Sequence, residues 1–121
     1  MLTAKRIQSN REWLLNQRTR LQAELDGLVS VMHEDERPGL GTHMAEDASD
    51  VFEQAKNAAV VQRLRNILDS VNRALHKIDE GTYGPCGHCG ETIDPARLKA
   101  LPYCALCMPC QAHAEQANRS R

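Results

Sequence analysis

All five cysteines of the chain fall between residues 86 and 110. Four of them, Cys86, Cys89, Cys107 and Cys110, follow the spacing Cys-x2-Cys-x17-Cys-x2-Cys, which is that of a structural zinc site. Zinc takes four soft ligands in a tetrahedron. Each Cys-x2-Cys turn offers two sulfurs, and Gly87 and Gly90 are expected to allow the dihedrals such a turn needs. A catalytic zinc keeps one position open for water, so four thiolates point to one structural Zn2+. Two disulfides are the competing use of these thiols. The chain opens on polar and charged residues without an apolar signal segment, which argues against disulfides. A redox Cys-x2-Cys would sit in a βαβ setting, and no such pattern is present.

Cys104 also pairs by spacing with Cys107. Using that pair would shorten the connection to fourteen residues, just below the usual window of about 15–20 for such ribbons. Cys107 and Cys110 are therefore assigned as ligands, and Cys104 is left as a buried thiol outside the site. A redox-sensitive Cys104 is the sharper alternative. His88 lies within the first turn and is expected to face solvent.

The remainder of the chain reads as helix. Aromatic residues make up only 3% of the sequence, which is little for a compact core. Ile7, Leu14, Leu21, Leu25, Leu28 and Met32 recur in steps of seven, four and three, a coiled-coil seam within a helix from residue 3 to about 35. Arg11 and Arg18 interrupt its early positions and leave room for an outside helix. Gly27 costs the helix about 1 kcal/mol relative to Ala. Trp13 is expected to pack at the base of the helices. Arg37-Pro38-Gly39 stops the first helix, and Thr42 offers an N-cap for the next. A second helix, from about 44 to 80, carries Val61, Leu64, Leu68, Val71, Leu75 and Ile78. Nearer its start a stripe of Ala48, Phe52, Ala55 and Ala59 is out of phase and calls for a stutter near 59–61. Gly81 ends it as a C′ residue.

Two helices of similar length joined by a short break fold back as an antiparallel pair. The fold class is therefore mostly α: a long antiparallel coiled-coil helical hairpin over residues 1–80, its acidic tip at about 36–50. A small four-cysteine zinc-finger module with a short C-terminal helix, from about Leu106 to Asn118, occupies 81–121. Zinc stands in for the core that a module of roughly 40 residues cannot build alone. Net charge is −1, yet residues 31–53 carry −6. Carboxylates at the tip suit a cation such as magnesium or a basic surface, though charge alone favours a plain solvated loop whose acids aid solubility.

The zinc-site stretch resembles the DksA/TraR family of zinc-finger transcription regulators. The likeness rests on Gly81-x-Tyr83-Gly84, Cys86-x2-Cys89, Gly90-Glu91, Ile93, Arg97-Leu98, Ala100, Pro102 and Cys107-x2-Cys110. It is dense over about residues 80–112 and architectural elsewhere. Gly87 departs from it, since the family usually has a polar or acidic residue there. The resemblance implies a coiled coil that enters the secondary channel of bacterial RNA polymerase and approaches the catalytic magnesium. It also implies the alarmone ppGpp as a co-effector at the polymerase interface, and a part in the stress response. The family's tip pattern, Asp-x-x-Asp-x-Ala, falls on His43, Glu46 and Ala48. His43 replaces an aspartate, so Asp47 and Asp50 join Glu46 as the candidate tip acids.

Several classes are set aside. No run approaches the 18 apolar residues of a membrane span, and a cytoplasmic protein is expected. No residue constellation supports an enzyme. The near-neutral zinc module does not carry the basic footprint of sequence-specific DNA binding. The rival to a transcription regulator is a zinc-stapled coiled-coil adaptor or self-association module.

Overall fold

The computed structural model describes residues 2–35 and 47–119, with side chains described for 2–32 and 51–119. Among the described residues the elements are all helical: α1 (Ala4–Asp35), α2 (Asp47–Glu80), α3 (Pro95–Ala100) and α4 (Met108–Arg119). The architecture is a helical hairpin followed by a zinc-finger module. The chain divides by its contacts into one unit of residues 1–18 with 69–121 and another of residues 19–68. The helices contribute to both units, and the module belongs to the first.

In the unit of residues 19–68, Leu21, Leu25 and Val61 are buried, and Leu28, Met32, Leu64 and Leu68 are half-buried. The expected seam is thus followed on both helices. The alanine stripe is not. Phe52 is 73% exposed, and Ala55 and Ala59 are exposed too. Asn57 is half-buried instead. Residues 57, 61, 64, 68, 71 and 75 run in alternating steps of four and three, so the later seam simply continues backward through Asn57. No stutter is needed at 59–61. Ala48 is among the residues whose side chains lie outside the description, and Thr42 lies outside it altogether.

In the unit of residues 1–18 and 69–121, the early part of α1 meets the late part of α2 and the module. Leu14, Val71, Ile93 and Leu98 are fully buried. The early seam differs from the sequence expectation. The buried position between Ile7 and Leu14 is Asn10, 4% exposed. Arg11 flanks the seam and comes within 3.9 Å of Asp79 across the hairpin, while Arg18 is exposed. Asn10 is spaced three and four residues from its apolar neighbours, so it occupies the core-facing position that Arg11 would have broken. Trp13 stacks on Tyr103 of the module, ring centroids 6.2 Å apart and planes 16° from parallel.

Helix α2 ends as expected. Gly81 has φ +77, its N–H bonds to the Ile78 carbonyl, and the Thr82 N–H reaches the Lys77 carbonyl at 2.8 Å. These are the two bonds of a Schellman cap. The short α3 begins on Asp94, whose carboxylate accepts the Ala96 N–H at 3.0 Å, with Pro95 in the first turn. Proline there loses no bond the helix could have made.

Candidate metal centre

The first ligand pair sits on a tight hairpin. An antiparallel bridge joins Pro85 to Thr92. The Cys86 N–H bonds to the Glu91 carbonyl at 2.7 Å, and Gly90 returns to the Cys86 carbonyl at 3.0 Å. Gly90 has φ +79, a conformation glycine adopts without strain. Gly87 has no such φ, so the expectation that both glycines serve by unusual dihedrals holds for Gly90 alone. What Gly87 contributes is an N–H, donated to the Ala105 carbonyl at 2.8 Å. That bond ties the first knuckle to the segment leading into the second.

The second pair is placed by α4. Cys107 precedes the helix and its carbonyl accepts the Gln111 N–H at 2.9 Å. Cys110 lies in the first turn. Arg97, from α3, braces this entry: its Nε donates to the Leu106 carbonyl at 3.0 Å, and its guanidinium lies 3.1 Å from Met108 Sδ.

These turns bring the sulfurs of Cys86, Cys89, Cys107 and Cys110 within 4.8 Å of one another. A tetrahedral zinc with Zn–S bonds of about 2.3 Å has sulfurs about 3.8 Å apart along each edge. The Cys89 and Cys107 sulfurs are 3.8 Å apart. The electrostatics point the same way. Backbone N–H groups of Cys89 and Cys107 bring the Cys86 thiol down to about 5. The neighbouring Cys107 sulfur, followed by burial, pushes Cys110 up to about 12. Four thiols so crowded ionise together only around a cation, and the all-sulfur donor set fits zinc. This is a zinc-binding site, and zinc bound there would neutralise two of the four thiolate charges.

Cys104 is not among the clustered sulfurs. It lines a cavity of about 160 Å3 with Tyr83, Ile93, Tyr103 and Lys77. Burial pushes its thiol up in spite of Arg97 and Lys77 nearby, the opposite of what a reactive cysteine requires.

The module is held to α1 by a buried polar network that sequence reasoning does not reach. Asn10 Nδ2 donates to the Tyr83 hydroxyl at 3.0 Å and to the Leu98 carbonyl at 3.3 Å. Tyr83 in turn donates to the Pro102 carbonyl at 2.7 Å. Among the described residues no buried side-chain N or O atom lacks a partner. The one available signal is a polar residue at a seam position. His88 is exposed, as expected, and its Nδ1 lies 3.8 Å from Cys110 Sγ. Of the tip candidates, His43 and Glu46 lie outside the described residues. Asp47, Ala48 and Asp50 lie in α2 with side chains outside the description.

Residues 81–116 match the prokaryotic dksA/traR C4-type zinc finger. The chain is 38% identical over 77 residues to General stress protein 16O of Bacillus subtilis, covering 64% of this chain and 47% of that protein. It is 30% identical over 76 residues to the RNA polymerase-binding transcription factor DksA of Caulobacter vibrioides, covering 63% and 54%. The chain thus spans about half the length of these curated relatives. Transcription factor DksA2 from Pseudomonas aeruginosa has a similar structure, with a TM-score of 0.77 and 29% identity over 96% of this chain and 88% of that one. Among the described residues no helix is long and apolar enough to cross a membrane.

Proposed function

For a chain that belongs to the DksA/TraR family of non-enzymatic zinc-finger transcription factors, we propose a regulator that binds bacterial RNA polymerase in the cytoplasm. One structural Zn2+, held by Cys86, Cys89, Cys107 and Cys110, fixes the module. The helical hairpin enters the polymerase secondary channel, and its tip residues His43, Glu46, Asp47, Ala48 and Asp50 meet the active-site region. The observation that carries this reading is the likeness to DksA2, which spans hairpin and zinc module together over 96% of the chain. Exposed Val51 and Phe52, side by side near the start of α2, add apolar surface suited to a protein partner.

The tip departs from the family pattern at His43, so the same docking is expected to alter transcription in a different way. A carboxylate can share a metal ion or pair with a basic side chain, while a neutral imidazole brings no negative charge. ppGpp is proposed as a co-effector at the polymerase interface.

The test is binding of the zinc-loaded chain to bacterial core RNA polymerase, with a known secondary-channel protein as competitor and with ppGpp titrated in. Mutual displacement is the expected result. Binding without competition would move the site elsewhere on the enzyme, and no binding at micromolar concentration would refute the reading. A variant carrying Glu46→Gln, Asp47→Asn and Asp50→Asn should still bind but lose its effect on transcription. If it regulates like the parent, the tip assignment is wrong. The exposed Phe52 also favours an adaptor or self-association module, and a mass that rises with concentration would support that alternative.

A further inference from the structure

The four clustered sulfurs are not equally protected. Cys86 is 4% exposed, and its Sγ accepts the His88 backbone N–H at 3.4 Å. Cys110 is half-buried at the start of α4. The exposed His88 ring lies beside it, with Nδ1 3.8 Å from Sγ. One residue of the first knuckle thus faces two sulfurs: its backbone meets the ligand two residues before it, and its ring reaches across to the opposite pair.

The direction of the ring contact follows from chemistry. A zinc-bound thiolate has no proton to give and can only accept. For the contact to be a hydrogen bond, His88 Nδ1 supplies the hydrogen. Such a bond withdraws charge from the sulfur, and outer partners of this kind tune how firmly a metal is held. We propose that His88 is a positioning residue of the zinc centre, whose Nδ1–H caps the Cys110 thiolate, lowers its nucleophilicity and slows zinc release. His88 is not itself a metal ligand. The four sulfurs complete the tetrahedron, and the ring acts through one of them.

The inference rests on the zinc centre and is independent of polymerase binding. Its test compares the zinc-loaded full chain with His88→Ala and His88→Asn, the second of which keeps an N–H donor. Zinc content and far-UV circular dichroism are measured first. Iodoacetamide alkylation is then followed at each cysteine by mass spectrometry, alongside zinc transfer to a chromophoric chelator. In His88→Ala, zinc transfer and Cys110 alkylation should both rise about tenfold, while Cys89 alkylation changes little. His88→Asn should fall between the two. With cobalt(II) in place of zinc, the d–d bands of a tetrahedral four-thiolate site should be kept in His88→Ala, while the thiolate-to-metal charge-transfer band moves to lower energy as the sulfur loses its donor.

An unchanged Cys110 rate would overturn the proposal. An equal rise at all four ligands would also overturn it, since that is general loosening. A d–d envelope changed to that of a different donor set would make His88 a ligand instead. If His88→Ala loses zinc outright, His88→Asn decides: a donor that fails to restore protection at Cys110 refutes the capping role. A parent chain without bound zinc would remove both the centre and this inference. Bound zinc with an indifferent Cys110 would remove the inference alone.

Discussion

Among the described residues of 19–68 the buried side chains are Leu21, Leu25 and Val61, each with some surface still open. In the unit of residues 1–18 and 69–121, Leu14, Val71, Ile93 and Leu98 are fully enclosed, and a polar residue, Asn10, is buried among them. The sequence pattern of α1 and α2 is similar through both units, so periodicity alone does not make the difference. A two-helix seam offers one layer of contact, and the far side of every residue near it meets water. Where the module is present, α3 and the first knuckle add a second layer. That layer brings its own acceptors, the Tyr83 hydroxyl and the Leu98 carbonyl, and these let an asparagine be buried at a core-facing position of α1. The dependence runs both ways. The module has too little apolar surface to fold by itself, and it draws its core from the helix ends and its closure from zinc.

The largest effect should come from the ligands that close the module. Cys107→Ser should abolish stoichiometric zinc binding, while Cys104→Ser should leave one zinc per chain. Metal analysis after gel filtration distinguishes them, and retention of zinc in Cys107→Ser would show that Cys104 takes its place. Next in size is the core contrast. Leu98→Ala should cost about 2–5 kcal/mol, toward the upper end because its enclosed site cannot collapse. Leu25→Ala should lie toward the lower end, since a two-helix seam can close over the gap. Denaturant unfolding of both variants would break the comparison if the order were reversed.

The polar network gives a smaller, pH-linked effect. Tyr83→Phe leaves the Pro102 carbonyl without its donor and should cost about 1–3 kcal/mol. Burial raises the Tyr83 pKa above its ordinary value near 10, with the Asn10 donor working against the shift and Cys104 adding to it. The folded state therefore favours the neutral phenol. Its contribution is fully present below pH 10 and is lost as pH rises through the folded pKa. The stability difference between parent and Tyr83→Phe should accordingly shrink in alkaline solution above about pH 10. A gap that stays constant across that range would place Tyr83 outside the buried network. Smallest is the cap of α3. Asp94→Ala should cost about 1 kcal/mol, read as a modest drop in melting temperature with zinc content unchanged.

Much of this is legible in the sequence because the signals are local. A Cys-x2-Cys turn, a heptad and a terminal glycine each specify geometry within a few residues. The Schellman cap at Gly81 and the clustering of four sulfurs follow from such signals. Asn10 is not legible, because its partners lie 73 and 88 residues away and nothing near it announces them. Counting heptads puts Arg11 in the seam, one residue from where the helix turns its core face. Phe52 is apolar and suitably spaced for packing, yet the seam of α2 passes through Asn57 instead. Periodicity gives a helix its faces, but which face is covered is decided by what the rest of the chain brings to it. His88 belongs to the same class: its reach to Cys110 depends on the fold of the second knuckle.

The most direct test is hydrogen exchange, resolved by peptide, on the chain with and without a strong zinc chelator. Metal removal is predicted to expose the amides of residues 83–110. The protection of α1 and α2 within residues 19–32 and 51–68 should persist, because their seam does not depend on the metal. If both regions lost protection together, the two would form a single cooperative unit and the contrast drawn here would fail. If residues 83–110 kept their protection without zinc, the metal would not be what closes the module.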